Sequence, residues 1–488
     1  MVLEFVLQAR TPKHHFQFEW AEERASRRTM DTPHVLVIPY PAQGHVIPLM
    51  ELSRKLAELR FRITFVNTEH NHDCIMRSDS IAAEGTRKDC GMNFMTVSDG
   101  LEEDDRKKPG KLSEAVLTVL PGKVKELICE IHPKDRIACV VADQSLGWAM
   151  EIAREKGLRC AAFCPAAAAM LVLALNTPRM IEEGIITDDG TPTGKHCSFE
   201  LSPDMPPMNP ETYVWARIRD KTLRKNVFQL ILRNTKSVEL ADLIVCNSSH
   251  ELETGAFKLA SQILSIGPIL ASNWNGKDSI GSFWKRDLSC LDWLDRQPAG
   301  SVVYVAFGSF TVLDPVQSKE LALGLELTNR PFLWVVRSEP SGASMSSYHP
   351  AGFAERVGDR GKMVWWAPQQ RVLSHPAVGC FISHCGWNSI VEGLVNGVPF
   401  LCWPYFADQF LNQSYICDIW KVGLGLKGSE SGTAVSREEI AGKVEELMEG
   451  GGGYKGRAID LKRRLRDSVT EGGVSHGNFE KFVRWLNG

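Results

Sequence analysis

Residues 366–409 read WAPQQRVLSHPAVGCFISHCGWNSIVEGLVNGVPFLCWPYFADQ, a succession that spells a strand, a tight turn and a helix. The apolar run 378–382 predicts a buried strand that stops at His384-Cys385-Gly386. Gly386 permits a tight turn, and Asn388 and Ser389 stand where a helix begins, as N-cap residues do. A strand feeding a helix N-terminus points free backbone N–H groups and a positive dipole end out of the sheet, which suits a phosphate. Glu392, four residues after Asn388, shares its helix face, and a carboxylate there suits a ribose diol. Trp366 offers a flat ring for a base, a stacking contact worth roughly 1–3 kcal/mol in nucleic-acid binders. Asp408 and Gln409 add acceptors and donors matched to sugar hydroxyls. Singly, Trp366 and Trp387 read as core aromatics and Asp408 as a surface cap. In this order and spacing they read as one site for a nucleotide sugar.

The stretch resembles the signature box of the plant secondary-product glycosyltransferases, UDP-dependent enzymes that attach sugars to small lipophilic molecules. The match runs without insertion from Trp366-Ala367-Pro368-Gln369 to Asp408-Gln409. The resemblance implies that Trp366 stacks on uracil, with Ala367 and Gln369 fixing the base edge. It implies that Glu392 binds ribose, that His384, Asn388 and Ser389 hold the diphosphate, and that Trp387, Asp408 and Gln409 meet the sugar. A closing Gln at 409 resembles glucose users, so UDP-glucose is the expected donor. It also implies the GT-B fold, with a final helix crossing back to the first domain.

Outward from the box, strands alternate with helical patterns, the mark of parallel α/β layers. Residues 34–38 (HVLVI) predict a strand, 39–45 (PYPAQGH) a loop, and Leu49, Leu52, Leu56 and Leu59 a helix after it. Further strands are expected at 63–66, 138–142, 160–163 and 243–246. The stretch from about 170 to 235 looks less regular and is taken as a mobile acceptor-side region, with a plain surface loop as the alternative. After Ile266-Gly267-Pro268 the residues Ser272, Asn273, Asn275, Gly276, Lys277 and Asp278 read as linker. A second α/β unit starts at 301–307, followed by a helix over 315–327 and a strand at 332–336. Ser436 and Glu439 predict a capping box, and 450–453 a flexible break. The expected division is a disordered extension at 1–29, an acceptor-binding Rossmann-like domain at 30–270 and a linker at 271–300. A donor-binding Rossmann-like domain follows at 301–466, and a returning C-terminal helix at 467–488. Two such α/β units face each other across a cleft at the carboxyl ends of their strands.

Glycoside formation needs a base to take the acceptor's proton, and UDP already leaves well without a strong acid. His45, just after the first strand, is the candidate base, since an imidazole titrates near neutrality. Asp143, at the end of the strand at 138–142, is the candidate partner that orients the ring and stabilises its charged form. The resemblance assigns both the same roles, and one-step attack implies inversion. Ser309 ends the first strand of the second unit, where its hydroxyl suits a phosphate oxygen; the alternative is a helix cap. Thr311 is a weaker candidate for that task. His70 and His72 lack clustered partners for a metal, and the mechanism calls for none. The segment 423–428 (GLGLKG) matches the dinucleotide fingerprint GxGxxG, but a loop follows it rather than a helix, so a dehydrogenase is set aside. A non-catalytic nucleotide-sugar binder of the same fold remains the alternative to an enzyme.

The 488 residues exceed what one core usually supports, in keeping with two domains of roughly 200–250 residues. A net charge of −3 makes no electrostatic case for nucleic acid or membrane. No apolar run approaches the ~20 residues of a membrane helix. The odd count of 13 cysteines, several inside apolar runs (Cys139, Cys246, Cys380 and Cys402), favours free thiols in a reducing compartment. A cytosolic enzyme acting on a flavonoid, a phenylpropanoid or a similar small lipophile is the resulting expectation.

Overall fold

Strands buried on both faces read as continuous apolar runs, and the runs at 34–38, 138–142, 302–306 and 378–382 lie at the centres of two sheets. A computed structural model describes residues 32–78, 91–106, 108, 110–195, 198–218, 220–269, 280–337, 345–427 and 434–488. The expected extension at 1–29 and the linker residues 271–279 lie outside the described residues, as does the loop expected after Gly428.

The first sheet holds β1 (His34–Ile38), β2 (Arg62–Thr68), β3 (Met92–Val97), β4 (Ile137–Asp143), β5 (Arg159–Cys164), β6 (Leu243–Cys246) and β7 (Ile263–Ser265). Its order is β3-β2-β1-β4-β5-β6-β7. The second holds β8 (Val302–Ala306), β9 (Phe332–Val335), β10 (Gly361–Val364), β11 (Val378–Ser383), β12 (Phe400–Cys402) and β13 (Gly423–Gly425), in the order β10-β9-β8-β11-β12-β13. Both sheets are parallel. Their strand order reverses between β1 and β4 and between β8 and β11, the two places where such sheets open a crevice for ligands. The expected pair of Rossmann-like units is present, and the fold is GT-B.

The helices that shape the cleft are α1 (Gln43–Glu58), α2 (Ala168–Leu175), α3 (Lys221–Val238), α4 (Pro315–Leu327), α5 (Trp387–Asn396), α6 (Gln409–Ser414), α7 (Tyr454–Val469) and α8 (Val474–Asn487). Val46, Leu49, Leu52 and Leu56 bury one stripe of α1 completely, whereas Leu59 falls at its C-cap and is exposed. Truncating any of the buried leucines costs roughly 2–5 kcal/mol. Phe479, Phe482 and Leu486 carry α8 back into the core that holds Val35, Val37 and Leu49 of the first unit. There the Arg159 guanidinium lies 4.4 Å from the centre of the Trp485 ring, and Asn478 donates to the Ser265 carbonyl at 3.1 Å.

Several local expectations are corrected. α1 begins at Gln43, so His45 stands in a helical first turn rather than in a loop. Gly386 is the N-cap of α5, which puts Asn388 and Ser389 inside its first turn. Ser436 caps its helix by accepting from the Glu439 N–H at 3.2 Å, but the Glu439 carboxylate turns to the Lys427 N–H, so half of the capping box is missing. The region 170–235 contains α2, the helix Thr177–Glu182 and α3, and buries Met205, Met208, Tyr213 and Trp215 between them. It is packed structure, not a plain surface loop. The first three residues of the GxGxxG segment form edge strand β13, where a Cβ on Gly423 would lie 2.5 Å from the Phe400 carbonyl oxygen; Gly428 lies outside the described residues.

Candidate active site

β1 and β4 are neighbours with Ile38 level with Ala142, so the residues that follow them emerge side by side. His45 Nδ1 and Asp143 Oδ2 meet at 2.7 Å. Asp143 is wholly buried, and its Oδ1 accepts from the Ser145 N–H at 2.9 Å. Those two bonds fix the carboxylate, and the carboxylate fixes the imidazole with Nδ1 as donor and Nε2 as the open acceptor. A third of the His45 side chain stays exposed to a cleft of about 340 Å³. Burial depresses the imidazole's pKa, but the charge and hydrogen bond of Asp143, with Asp408 across the cleft, outweigh it and raise the net value. The arrangement can take a proton and hold it.

On the opposite wall, β8 and β11 bring Ala306 level with Ser383, which sets Ser309 beside His384. Gly308 adopts φ +70°, and a Cβ on either Gly308 or Gly386 would lie 2.5 Å from His384 Nε2. Two glycines thus let the backbone close on the Nε2 edge of the ring. Burial pushes the His384 imidazole down to about 4, so it faces the cleft neutral. No side chain caps α5, whose first-turn N–H groups remain for an anion. Ser309 is not a helix cap; Asp314 caps α4 by accepting from the Val316 and Gln317 N–H groups.

Deeper in the cleft, Gln369 accepts from the Tyr304 hydroxyl at 3.0 Å and donates to Glu392 at 2.6 Å and to Ser389 at 3.0 Å. Gln370 donates to the second Glu392 oxygen at 3.2 Å. Burial pushes the Glu392 carboxyl up, against these amides and the Arg286 charge. Gln409 accepts from the Tyr405 and Phe406 N–H groups at 2.7 and 3.0 Å, which leaves its NH2 as the part that can act as a donor. Its expected double role as donor and acceptor therefore narrows to donor. Asp408 accepts from Asn412 at 2.8 Å, and burial raises its carboxyl.

Of the expected site residues, all but Asp143 and Thr311 line this one cleft: His45, Ser309, Trp366, Ala367, Gln369, His384, Trp387, Asn388, Ser389, Glu392, Asp408 and Gln409. Asp143 stands behind His45. Thr311 is buried, its hydroxyl lacks a hydrogen-bond partner, and it is not among the lining residues. Trp387 is buried too, and its indole N–H donates to the Asn247 carbonyl of the first unit at 2.9 Å. His70 contacts Cys74 at 3.5 Å, and among the described residues no group of three His, Cys, Asp or Glu side chains could hold a metal.

Sequence reasoning missed Trp284, whose ring centre lies 4.7 Å from that of Trp366 and whose own face is flanked by Arg337 at 5.8 Å. It missed Arg286, Tyr304 and Gln370, which line the cleft, whereas Trp284 reaches it only through Trp366. Trp284 and Arg286 come from the segment before the second unit, far in sequence from the box. The alternation of the box's neighbours carried no signal for them.

The family described as UDP-glucoronosyl and UDP-glucosyl transferase matches residues 269–471. UDP-glycosyltransferase 83A1 of Arabidopsis thaliana is 49% identical over 469 residues, covering 94% of this chain and 98% of that protein. The chain belongs to the UDP-glycosyltransferase family. Another relative of this glycosyltransferase, linamarin synthase 1 of Manihot esculenta, is 34% identical over 477 residues, with 93% and 96% of the two chains covered. Among solved structures, a UDP-glucosyltransferase from Polygonum tinctorium capable of glucosylating indoxyl superposes with a TM-score of 0.79 at 27% identity. It covers 94% of this chain and 100% of its own. The glycosyltransferase is therefore an enzyme that moves sugar from a UDP-sugar to an acceptor, and among its described residues no helix is long and apolar enough to cross a membrane.

Proposed function

We propose that this glycosyltransferase transfers glucose from UDP-glucose, with inversion, to a hydroxyl or carboxyl of a small lipophilic acceptor such as a flavonoid or phenylpropanoid. The observation that carries the proposal is the His45–Asp143 pair, with Nε2 open to the cleft opposite the Ser309–His384 wall. In this reading Nε2 takes the acceptor's proton as its oxygen attacks the anomeric carbon. The bond from that carbon to the diphosphate breaks, and UDP leaves with the electron pair. Asp143 stabilises the imidazolium until the proton is released. The α5 N–H groups, Ser309 and His384 meet the diphosphate charge, so the step is drawn without a metal or other cofactor. Trp366 holds the base and Glu392 the ribose.

Glucose is favoured over glucuronate because Asp408 puts negative charge at the sugar end, while Arg286 stands beside Glu392 at the ribose end. The acceptor side is walled by Tyr40, Ile47, Pro165, Ala166, Phe310 and Phe406, an aromatic and aliphatic surface suited to a planar lipophile. Free buried thiols such as Cys139 and Cys380 fit the cytoplasm. The test is UDP release against a panel of hydroxylated acceptors, with UDP-glucose, UDP-galactose and UDP-glucuronate in equal competition. A β-glucoside as the main product is expected. A preference for either other donor would overturn the glucose reading, and binding without release from any UDP-sugar would favour a non-catalytic binder.

A further inference from the structure

Pro48 lies inside α1, where it has no N–H to give. The helical partner of that missing donor is the carbonyl of residue 44, four positions back. In this structure the Gly44 carbonyl accepts instead from Asn388 Nδ2 at 2.7 Å, and Asn388 belongs to the first turn of α5 in the other domain. The Asn388 Oδ1 is buried without a partner, so its amide donor is the atom set to work here. Gly44 immediately precedes His45. Neighbouring contacts also tie α1 to the segment between the domains: Gln43 accepts from the Phe283 N–H at 2.9 Å and Glu51 from the Ile280 N–H at 3.2 Å.

We propose that Pro48 and Asn388 form an interdomain latch: the proline frees the Gly44 carbonyl, and the Asn388 amide takes it to set His45 against the donor. Asn388 then acts as a positioning residue. The diphosphate role that its place in the box suggests is secondary, since one of its two N–H bonds is already committed. The latch rests on the reading of His45 as the base. It joins the first turn of the base's helix to the first turn of the phosphate-facing helix, so the two halves of the reaction are referenced to each other by one hydrogen bond.

The test compares Asn388→Asp, Asn388→Ala, Pro48→Ala and the Pro48→Ala/Asn388→Ala double variant. Asn388→Asp keeps the shape but turns an oxygen toward the Gly44 carbonyl. Pro48→Ala returns an N–H that competes for that carbonyl, and Ala suits a helix interior, so folding is kept. Each single variant should lower kcat at saturating substrates about twofold to tenfold, as loss of one hydrogen bond allows. UDP affinity by calorimetry should stay within twofold in Pro48→Ala and Asn388→Ala, whereas the Asn388→Asp carboxylate also repels the diphosphate, so its affinity does not bear on the latch. The double variant should fall no further than the worse single one. Amide hydrogen exchange across residues 43–58 should quicken in Asn388→Asp, a readout that needs no turnover. Losses that multiply in the double variant, or a tenfold loss of UDP affinity in Pro48→Ala or Asn388→Ala with kcat kept, would overturn the latch; so would unchanged exchange. Full activity of His45→Ala would sink the base reading alone, since exchange still decides the latch.

Discussion

Replacing Asp143 by Asn should harm this enzyme more than replacing it by Ala. Ser145 N–H holds Oδ1 at 2.9 Å, while Oδ2 takes His45 Nδ1 at 2.7 Å. An Asn amide in that place must keep its carbonyl oxygen toward Ser145, because two N–H groups cannot face each other. Its NH2 then points at Nδ1, which has to accept. The imidazole proton moves to Nε2, and the atom meant to receive the acceptor's proton becomes a donor. The equivalent change in a serine-protease triad lowers kcat about 10⁴-fold through the wrong tautomer. Ala leaves the ring free to choose its tautomer and removes only orientation and charge support, for a loss of about 10²–10³-fold within the ~10²–10⁴ range of base catalysis. The assay is UDP release at saturating donor and acceptor, with UDP affinity measured alongside. Affinity should hold within twofold in both variants, since Asp143 and the nucleotide wall belong to different domains. An Asn variant that turns over faster than the Ala variant would refute the reasoning.

The acid limb of kcat/KM should lie above the ordinary histidine value of about 6.5, because the base works neutral and Asp143 and Asp408 outweigh burial in raising His45. Activity is then lost as pH falls through that raised value, Asp143→Ala should move the limb to lower pH, and a native limb below 6.5 would contradict the account. Gly308→Ala places a Cβ 2.5 Å from His384 Nε2 at φ +70°, a conformation that costs an L side chain about 1–2 kcal/mol. It should lower the melting temperature by a few degrees and weaken UDP binding about tenfold by calorimetry. Trp284→Ala should raise the KM for UDP-sugar about threefold to tenfold with kcat and acceptor KM kept, and Trp284→Phe should restore most of it; equal losses in all three parameters would make Trp284 merely structural.

The sheets were legible because their central strands are continuous apolar runs, as at 34–38 and 138–142. The helix at 315–327 was legible from its Asp-Pro start, where Asp314 caps and Pro315 presets the first turn. Strands β3, β7, β10, β12 and β13 were not: β7 and β12 are only three residues long, β3 and β10 are partly exposed at sheet edges, and β13 is a glycine pair whose strand character comes only from pairing with β12. The site was legible where chemistry is contiguous, from Trp366 to Gln409, and where a strand end announces a residue, as at His45 and Asp143. Side-chain commitments were not. Gln409 gives its carbonyl to Tyr405 and Phe406, and Trp387 reaches Asn247 in the other domain. The first is local but hangs on a turn that the sequence does not announce; the second joins residues that only the fold brings together, and Trp284 behind Trp366 is the plainest case.

The return of α8 to the first sheet has a bearing on how such enzymes recombine. Phe479, Phe482 and Leu486 are encoded at the end of the chain but complete the core around Val35 and Leu49, and Lys55 of α1 lies 4.2 Å from the centre of the Phe479 ring. A chimera made by one crossover in the linker would therefore join an acceptor half from one parent to a closing helix from another. Its core would be mismatched even if both cleft walls were intact. Exchanging acceptor preference between relatives calls for two crossovers, so that residues 474–487 travel with the N-terminal half.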